Sequence, residues 1–251
     1  MGLSMATAAR WVERWECQQQ RYAIDRQERC TVIADVVEHM TAGHPRPLVV
    51  DVGCGPGALA ALLADRLPEA EILAVDADPL LLELGRTHYG SAIHYVETVI
   101  GEPDWLRALA LHRPLDAAVS TTALHYLCEH TLRRVYRQLA ALLRPGGVLV
   151  NGDHLCQDAA MISEIAAVVG RRRAERQRAF AHEDWDSWWS AAAADQELAD
   201  LLAERRSRRL PSSKENDLTL SEHVALLQEA GFAHVGPVWQ FGNSQVLVAV
   251  R

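Results

Sequence analysis

The sequence predicts an α/β fold, a doubly wound and mostly parallel sheet with helices on both faces. Three observations predict it. Short runs rich in Val, Ile and Leu alternate with helical patterns between residues 48 and 151. A glycine-rich turn at residues 53–57 joins the first of these runs to a helix. Two strand-like runs flank residues 241–244 near the end of the chain, a pattern typical of an antiparallel hairpin.

Residues 1–46 precede the sheet and predict one or two helices, because Val32, Ile33, Val36, Val37 and Met40 recur at helical spacing. The core elements then follow in chain order. Strands are predicted at 48–52, 71–75, 93–96, 116–120, 148–151, 233–239 and 245–250. Helices are predicted at 58–67, 79–89, 103–110, 129–143 and 220–229.

Two segments interrupt this alternation. Pro145, Gly146 and Gly147 predict a sharp turn between a helix and the fifth strand. Residues 155–218 are rich in Ala, Arg and Glu, and they predict a helical insertion above the carboxyl ends of the strands, with a loop at 211–213 before the next helix.

Composition and charge narrow the class of protein. The 251 residues suit one α/β domain with an insertion, and the chain has a formal net charge of −8. Basic runs in the insertion are interleaved with acids, 10 Lys or Arg against 12 Asp or Glu between residues 155 and 218, so nucleic acid is not the expected partner. No apolar run approaches the roughly 20 residues of a membrane span, and the N-terminus has no signal-peptide core. We therefore expect a cytoplasmic protein with no membrane association.

Metal ligands are not indicated by the sequence. The five cysteines are widely spaced without a CxxC pair, and the 11 histidines form no i, i+4 pair on a helix. We expect reduced cysteines and no metal centre.

The glycine-rich turn predicts a ligand site. Glycines at 53, 55 and 57 allow a ligand to approach the backbone, and the N–H groups of the following helix face that ligand. The string also satisfies a dinucleotide fingerprint. Asp51, however, would repel a diphosphate and would suit an ammonium group, and Asp76 ends the second strand, where it can accept both hydroxyls of a ribose. A ligand with an ammonium, a ribose and no phosphate is S-adenosylmethionine, which these acids favour over NAD.

Four segments carry a family resemblance: DVGCGPG at 51–57, AVDADP at 74–79, LDAAVSTTALHYL at 115–127 and LRPGGVLVNGDH at 143–154. With them the chain resembles the class I S-adenosylmethionine-dependent methyltransferases over residues 45–154 and 219–251. The resemblance implies a seven-stranded sheet with an antiparallel last strand. It divides the chain into an N-terminal helical cap (1–46), a cofactor-binding core (47–154 and 219–251) and a substrate lid (155–218).

The resemblance also implies roles for single residues. Asp51 and the turn would line the methionine and ribose, Asp76 would hold the ribose hydroxyls, and Ala77 and Asp78 would lie beside the adenine. Relatives often have an acid after the third strand, but here that position falls on Val99. Either Glu97 replaces the acid or, as we favour, a backbone carbonyl accepts from the adenine amino group. The predicted cofactor-binding set is Asp51, Gly53, Cys54, Gly55, Gly57, Asp76, Ala77, Asp78, Thr98, Val99, Ser120 and Thr121.

Methyl transfer is an in-line displacement that needs a base only when the acceptor atom is protonated. His154 and His125 follow the fifth and fourth strands and are the candidate bases, and Asp153 could orient one of them. A carboxylate acceptor would need no base. Further candidate substrate contacts are Tyr22, Tyr126, Asp153, Trp185 and Trp188, although packing of the insertion also explains the two tryptophans.

The favoured hypothesis is a methyltransferase for O, N or C of a small molecule, such as a natural product, acting as a monomer or homodimer. Three alternatives remain: an RNA or protein methyltransferase, an NAD-dependent oxidoreductase, and an inactive binding protein on the same fold.

Overall fold

The sheet determines where the site lies. In a computed structural model that describes residues 2–208, 210 and 216–251, the sheet of the described residues has seven strands in the order β3-β2-β1-β4-β5-β7-β6. Only β7 is antiparallel to its neighbours, β5 and β6. The predicted fold class is confirmed. The strands are β1 Leu48–Val52, β2 Glu71–Asp76, β3 His94–Glu97, β4 Leu115–Thr121, β5 Leu143–His154, β6 His234–Phe241 and β7 Ser244–Val250.

Helices cover both faces of the sheet. One face is packed by α2, α3 and part of α4, and the other by α5, α6 and α10. The helices of the described residues are α1 Met5–Tyr22, α2 Arg26–Thr41, α3 Ala58–Arg66, α4 Pro79–Tyr89, α5 Trp105–Ala108, α6 Glu129–Leu142, α7 Ala160–Arg176, α8 Trp185–Ala194, α9 Ala199–Ser207 and α10 Leu220–Ala230. None of these helices is long and apolar enough to cross a membrane.

The fifth strand is longer than the predicted 148–151 and begins at Leu143. Its register with β4 jumps from Leu115↔Leu143 to Ala117↔Val148, so the residues between Leu143 and Val148 bulge out of the ladder. Gly146 has φ +74° there. The turn predicted at Pro145, Gly146 and Gly147 is present. It lies within β5 and not before it, because Leu143 still pairs with β4.

The N-terminal segment 1–46 divides between two places. Helix α2 belongs to the sheet, since Ile33, Ala34 and Val37 pack against β4 and β5 as part of the core. Helix α1 instead packs on α4 and on the insertion through Trp11 and Trp15. We call α1, α8 and α9 together the cap.

The described part of the insertion is helical. Trp188 and Leu202 of the insertion share one apolar cluster with Trp11 and Leu80. Polar contacts add to this packing, because Asp195 accepts hydrogen bonds from Arg10 at 2.7 Å and from the Trp11 indole at 2.9 Å. The predicted loop at 211–213 lies outside the described residues.

Candidate active site

The candidate site lies at the carboxyl ends of four neighbouring strands. The order β2-β1-β4-β5 brings Asp76, Asp51, Thr121 and His154 to one edge of the sheet, although they are far apart in sequence. We call this edge the rim.

The glycine turn has a backbone that only glycine adopts easily. Gly53, Gly55 and Gly57 have φ of +79°, +55° and +97°. A Cβ on Gly53 would lie 2.3 Å from the Cβ of Ala123. The Gly53 N–H donates to the carbonyl oxygen of Val75 at 2.8 Å, and the Gly55 N–H donates to the Asp76 carboxylate at 2.8 Å. The turn is therefore fixed to the end of β2.

Asp51 is a buried acid without a hydrogen-bond partner. Its side chain has no exposed surface, and neither carboxylate oxygen has a partner among the described residues. Burial raises the pKa of Asp51 to about 7, although the positive charge of Arg26 and the nearby backbone N–H of Ala60 oppose that rise. Such a group is costly unless a cation pairs with it. The ammonium of an amino acid would supply that cation, so this residue fits the predicted cofactor.

Asp76 faces the rim, and its carboxylate also holds the backbone of the neighbouring residues. Its carboxylate accepts from the N–H groups of Gly55, Ala77 and Asp78 at 2.7 to 3.0 Å. Burial raises its pKa, and these hydrogen bonds only partly offset the rise. Each carboxylate oxygen has more than one acceptor position, so a role toward ribose hydroxyls remains compatible with this geometry.

The acids next to the predicted adenine region are paired. Asp78 caps α4 through the Leu80 N–H, and its second oxygen accepts from Arg205 at 2.5 Å. Glu97 forms an ion pair with Arg208. Arg205 lies in α9 and Arg208 follows it, so two salt bridges join this end of the cap to the start of α4 and to the end of β3. The Thr98 N–H donates to the carbonyl oxygen of Asp76, and the Val99 carbonyl accepts from Glu102. The contact to the adenine amino group remains a prediction.

The two residues predicted at the end of β4 differ in their surroundings. The Ser120 hydroxyl is fully buried and donates to the carbonyl oxygen of Val52 at 2.7 Å, which ties β4 to β1. The Thr121 hydroxyl is buried, and the described residues offer it no partner. Thr121 is therefore the better placed of the two to bind a ligand through its side chain.

His125 is the candidate base with an acid behind it. Its Nδ1 lies 2.8 Å from the Oδ1 of Asp153, which is almost fully buried. Burial favours a higher pKa for Asp153, but the hydrogen bond from His125 and the charges of His125 and Arg29 outweigh it and lower the pKa. An ionised Asp153 fixes the tautomer with a proton on Nδ1 and leaves Nε2 as the basic atom.

His154 is the weaker candidate base. Burial and the positive charge of Arg29 lower its pKa to about 4, so it is neutral and only weakly basic at pH 7. Its backbone N–H donates to Asp153 at 2.9 Å. The geometry thus separates two histidines that the sequence left equivalent.

The predicted substrate contacts do not form one group. Tyr22 is half exposed, and its hydroxyl accepts from the backbone N–H of Trp185 at 3.0 Å, so these two residues meet at the edge of the cap. The Tyr126 ring lies 4.1 Å from the His125 ring, centroid to centroid. Trp188 is fully buried and packs edge-on against Trp15. In this conformation Trp188 packs the insertion onto the rest of the protein, which was the alternative to a substrate contact.

Three residues outside the predicted site set face the rim from the N-terminal helices. Sequence reasoning missed Trp15 and Arg29, and it favoured a surface role for Arg26, which is wrong because Arg26 is buried. The Trp15 indole lies over the glycine turn, 3.6 Å from a Cβ built on Gly55. Arg26 is buried and donates to Glu16 at 2.9 Å and to Thr122 at 3.4 Å. Arg29 has no exposed surface, and its Nε and one Nη have no partner among the described residues. The sequence did contain a signal for the two arginines, because Arg26 and Arg29 lie on the same buried face of α2 as Ile33 and Val37.

Comparisons with known proteins agree with this geometry. A family model described as a methyltransferase domain matches residues 49–147, which run from β1 into β5. The sheet order and the acidic rim agree with the S-adenosylmethionine site that the sequence predicts. Residues 49–147 thus match a methyltransferase domain, and the chain as a whole resembles the class I S-adenosylmethionine-dependent methyltransferases.

The individual relatives share about a third of their residues with this chain, over only part of its length. The chain is 32% identical over 123 residues to trans-aconitate 2-methyltransferase of Methylobacterium radiotolerans, covering 49% of this chain and 43% of the relative. It is 30% identical over 175 residues to the enzyme of the same name from Methylobacterium nodulans, covering 66% and 64%. The chain thus spans less than two thirds of the length of either relative.

A solved structure extends the likeness of fold to nearly the whole chain. Magnesium protoporphyrin IX methyltransferase from Synechocystis, with S-adenosylhomocysteine bound, superposes with a TM-score of 0.57. The match covers 96% of this chain and 94% of that one at 15% identity. This comparison supports the fold alone.

Proposed function

We propose that the chain transfers the methyl group of S-adenosylmethionine to a small molecule that reaches the rim beneath the cap. The observation that carries this proposal is the buried, unpartnered carboxylate of Asp51 beside the glycine turn. It is suited to an ammonium and unsuited to a diphosphate, which disfavours an NAD-dependent oxidoreductase. The acidic net charge of −8 disfavours an RNA methyltransferase.

The cofactor supplies a sulfonium leaving group that is already charged, so the protein mainly orients the acceptor and excludes water. In this proposal Asp51 binds the ammonium and Asp76 binds the ribose. Trp15 lies over the turn in this conformation. His125, held by Asp153, removes a proton from an acceptor hydroxyl or amine through Nε2.

Arg29 indicates an acidic group on the acceptor. Among the described residues it is the one fully buried arginine with no carboxylate within ion-pair distance, although its charge still lowers the pKa of Asp153. It lies against Gly152 of β5 and donates to the Ser244 hydroxyl at 3.2 Å. Its two unpartnered donors match the geometry of a carboxylate. Two relatives are named for an acid, trans-aconitate, which supports the same class of acceptor.

Calorimetry with S-adenosylhomocysteine tests the cofactor assignment. We expect micromolar affinity for the wild type and at least a tenfold loss for Asp76→Ala, since a charge-assisted hydrogen-bond pair contributes about 1.5–3 kcal/mol. Asp76→Asn is the matched control, because it keeps one acceptor oxygen and should lose less. Binding of NAD in place of S-adenosylhomocysteine would contradict the proposal.

Transfer of labelled methyl groups to a panel of acids and their neutral amides tests the acceptor class. We expect the wild type to prefer the acids, and Arg29→Gln to lose kcat/KM for acids but not for amides. A wild type that binds S-adenosylhomocysteine yet methylates only neutral compounds would contradict the role of Arg29 and leave the cofactor assignment intact.

A further inference from the structure

Helix α7 presents an apolar face to solvent. Met161, Ile162, Ile165 and Val169 are 67%, 52%, 50% and 42% exposed. Their spacing of one, three and four residues places them on one side of the helix. These four are among only ten large apolar side chains exposed in the part of the chain that the structure describes, so the face is a concentrated patch.

This face does not pack against the protein's own core. An adjacent side of α7 is already packed, because Ala166 and Ala174 are buried and a Cβ on Gly242 would lie 2.8 Å from the carbonyl oxygen of Ala166. Arg173 holds the helix further, with an ion pair to Asp25 at 2.6 Å and its guanidinium 4.4 Å from the Phe241 ring centroid. The apolar face is therefore held outward.

The charges beside the face select its partner. Asp158, which precedes α7 and accepts a hydrogen bond from the Ser221 hydroxyl, and Glu164 lie in the N-terminal part of the segment. Arg172 and Arg176 lie in its C-terminal part, where Glu175 is the one acid. A second copy in antiparallel orientation brings opposite charges together, and a parallel copy brings like charges together. If the two-fold axis passes through Ile165, Met161 lies opposite Val169 of the second copy, because each of the two is four residues from Ile165. Asp158 then lies opposite Arg172 of the second copy, seven residues away.

We propose that the exposed face of α7 is the interface of an antiparallel, two-fold symmetric homodimer. Each large apolar side chain meets an apolar side chain of the second copy, and two symmetric Asp158–Arg172 pairs close the ends. Four apolar residues a side make a small interface, so we expect dissociation in the micromolar range. This inference does not depend on the reaction proposed above.

Light scattering coupled to size exclusion, at tens of micromolar protein, tests the inference. The wild type should have twice the monomer mass of 27.8 kDa. Ile165→Asp should yield monomers that keep the wild-type affinity for S-adenosylhomocysteine. Val238→Asp is the matched control, because Val238 is 56% exposed on β6, and this variant should remain dimeric. A monomeric wild type, or a dimer that survives Ile165→Asp, would overturn the proposal.

Charge reversal tests the antiparallel register. Arg172→Glu should weaken the dimer at least tenfold, because it places two acids opposite each other at each end. Arg171→Glu carries the same charge change on the same helix but points away from the face, so it should have little effect. Adding Asp158→Arg to Arg172→Glu should restore dimerisation. Equal effects of the two arginine variants, or no rescue, would refute this register.

Discussion

At the residue scale, the chemistry of the site rests on two buried acids in different surroundings. Asp51 has no partner among the described residues, and its pKa is raised to about 7 by burial. Asp153 contacts His125 at 2.8 Å, and its pKa is lowered. One carboxylate is thus suited to receive a cation from a ligand, and the other is suited to hold a histidine in one tautomer.

Asp51 should make the unliganded protein less stable at alkaline pH. Its folded pKa of about 7 lies above the ordinary 3.8, so the ionised form opposes folding above pH 7. This penalty disappears as the pH falls from 7 toward 4. Asp51→Asn should therefore raise the free energy of unfolding at pH 8, by roughly 4 kcal/mol at most, and should change it little at pH 4.

Urea unfolding of both proteins at the two pH values measures this difference. The same substitution should abolish binding of S-adenosylhomocysteine. The wild-type affinity should also fall as the pH drops below 7, because a proton then competes with the ammonium for Asp51. If Asp51→Asn were less stable than the wild type at pH 8, the carboxylate would have a stabilising partner within the protein.

His125 and His154 should differ in their effect on turnover. A positioned general base contributes about 10²–10⁴-fold, so His125→Ala should lower kcat by that amount for a hydroxyl or amine acceptor. His154→Ala is the control, and it should lose far less because its pKa of about 4 makes it a poor base. Asp153→Asn should alter the pH profile of kcat as well as its value. Equal losses in the two histidine variants would rule out the assignment of the base.

At the element scale, the glycine turn depends on the helix that packs behind it. Gly85 lies in α4, and a Cβ at this position would lie 1.9 Å from the carbonyl oxygen of Pro56 and 2.7 Å from the Tyr95 hydroxyl. The Tyr95 hydroxyl donates to the same carbonyl at 3.0 Å. Helix α4 and strand β3 therefore pack against the turn and hold its backbone in place.

Gly85→Ala should displace the turn. Overpacking of this kind costs about 1–3 kcal/mol, and the midpoint of thermal unfolding should fall accordingly. Affinity for S-adenosylhomocysteine should fall with it. Gly236→Ala is the control, because no atom lies within 4 Å of the added Cβ. Unchanged stability and affinity in Gly85→Ala would mean that α4 does not position the turn.

Most elements were predictable because their signals are local. Strand β1 and helix α4 begin and end where the sequence predicts, since the run from Leu48 to Val52 is fully buried and Pro79 follows the capping Asp78. The sequence grouped α2 with α1 as an N-terminal helical segment, although α2 packs on the sheet, because a helix on a sheet and a helix on a lid share the same periodicity. Which surface a helix covers is set by tertiary packing.

The candidate site was predictable only in part, for the same reason. Asp51 and Asp76 follow strands directly, so the topology places them on the rim. The pairing of His125 with Asp153 joins two segments 28 residues apart, and the sequence offered His154 as an equal alternative. Trp15 lies over the turn through the packing of α1 on α4, which no local pattern specifies.

At the scale of the whole molecule, the cap closes over the site in this conformation. Trp15 lies on the turn, and Arg205 and Arg208 hold this end of the cap to the start of α4 and to the end of β3. Arg205 also lies 3.9 Å from the Trp189 ring centroid. A cofactor that reaches the turn must displace the Trp15 indole, so binding couples to movement of the cap.

The coupling between cap and cofactor should be visible in tryptophan fluorescence. Addition of S-adenosylhomocysteine should change the wild-type emission, because the surroundings of Trp15 change. Trp15→Phe should bind the ligand with a much smaller change in emission, and Trp105→Phe, altered in the core away from the cap, should respond like the wild type. A full response in Trp15→Phe would place the moving tryptophan elsewhere.

A crystal structure of the chain with S-adenosylhomocysteine is the most direct test of the central claim that Asp51 forms the ammonium site. The amino group should lie within hydrogen-bond distance of the Asp51 carboxylate, about 2.7–3.2 Å, with the ribose hydroxyls at Asp76. An amino-acid moiety bound elsewhere with Asp51 still unpartnered, or a dinucleotide diphosphate seated over the glycine turn in a crystal grown with NAD, would contradict the claim.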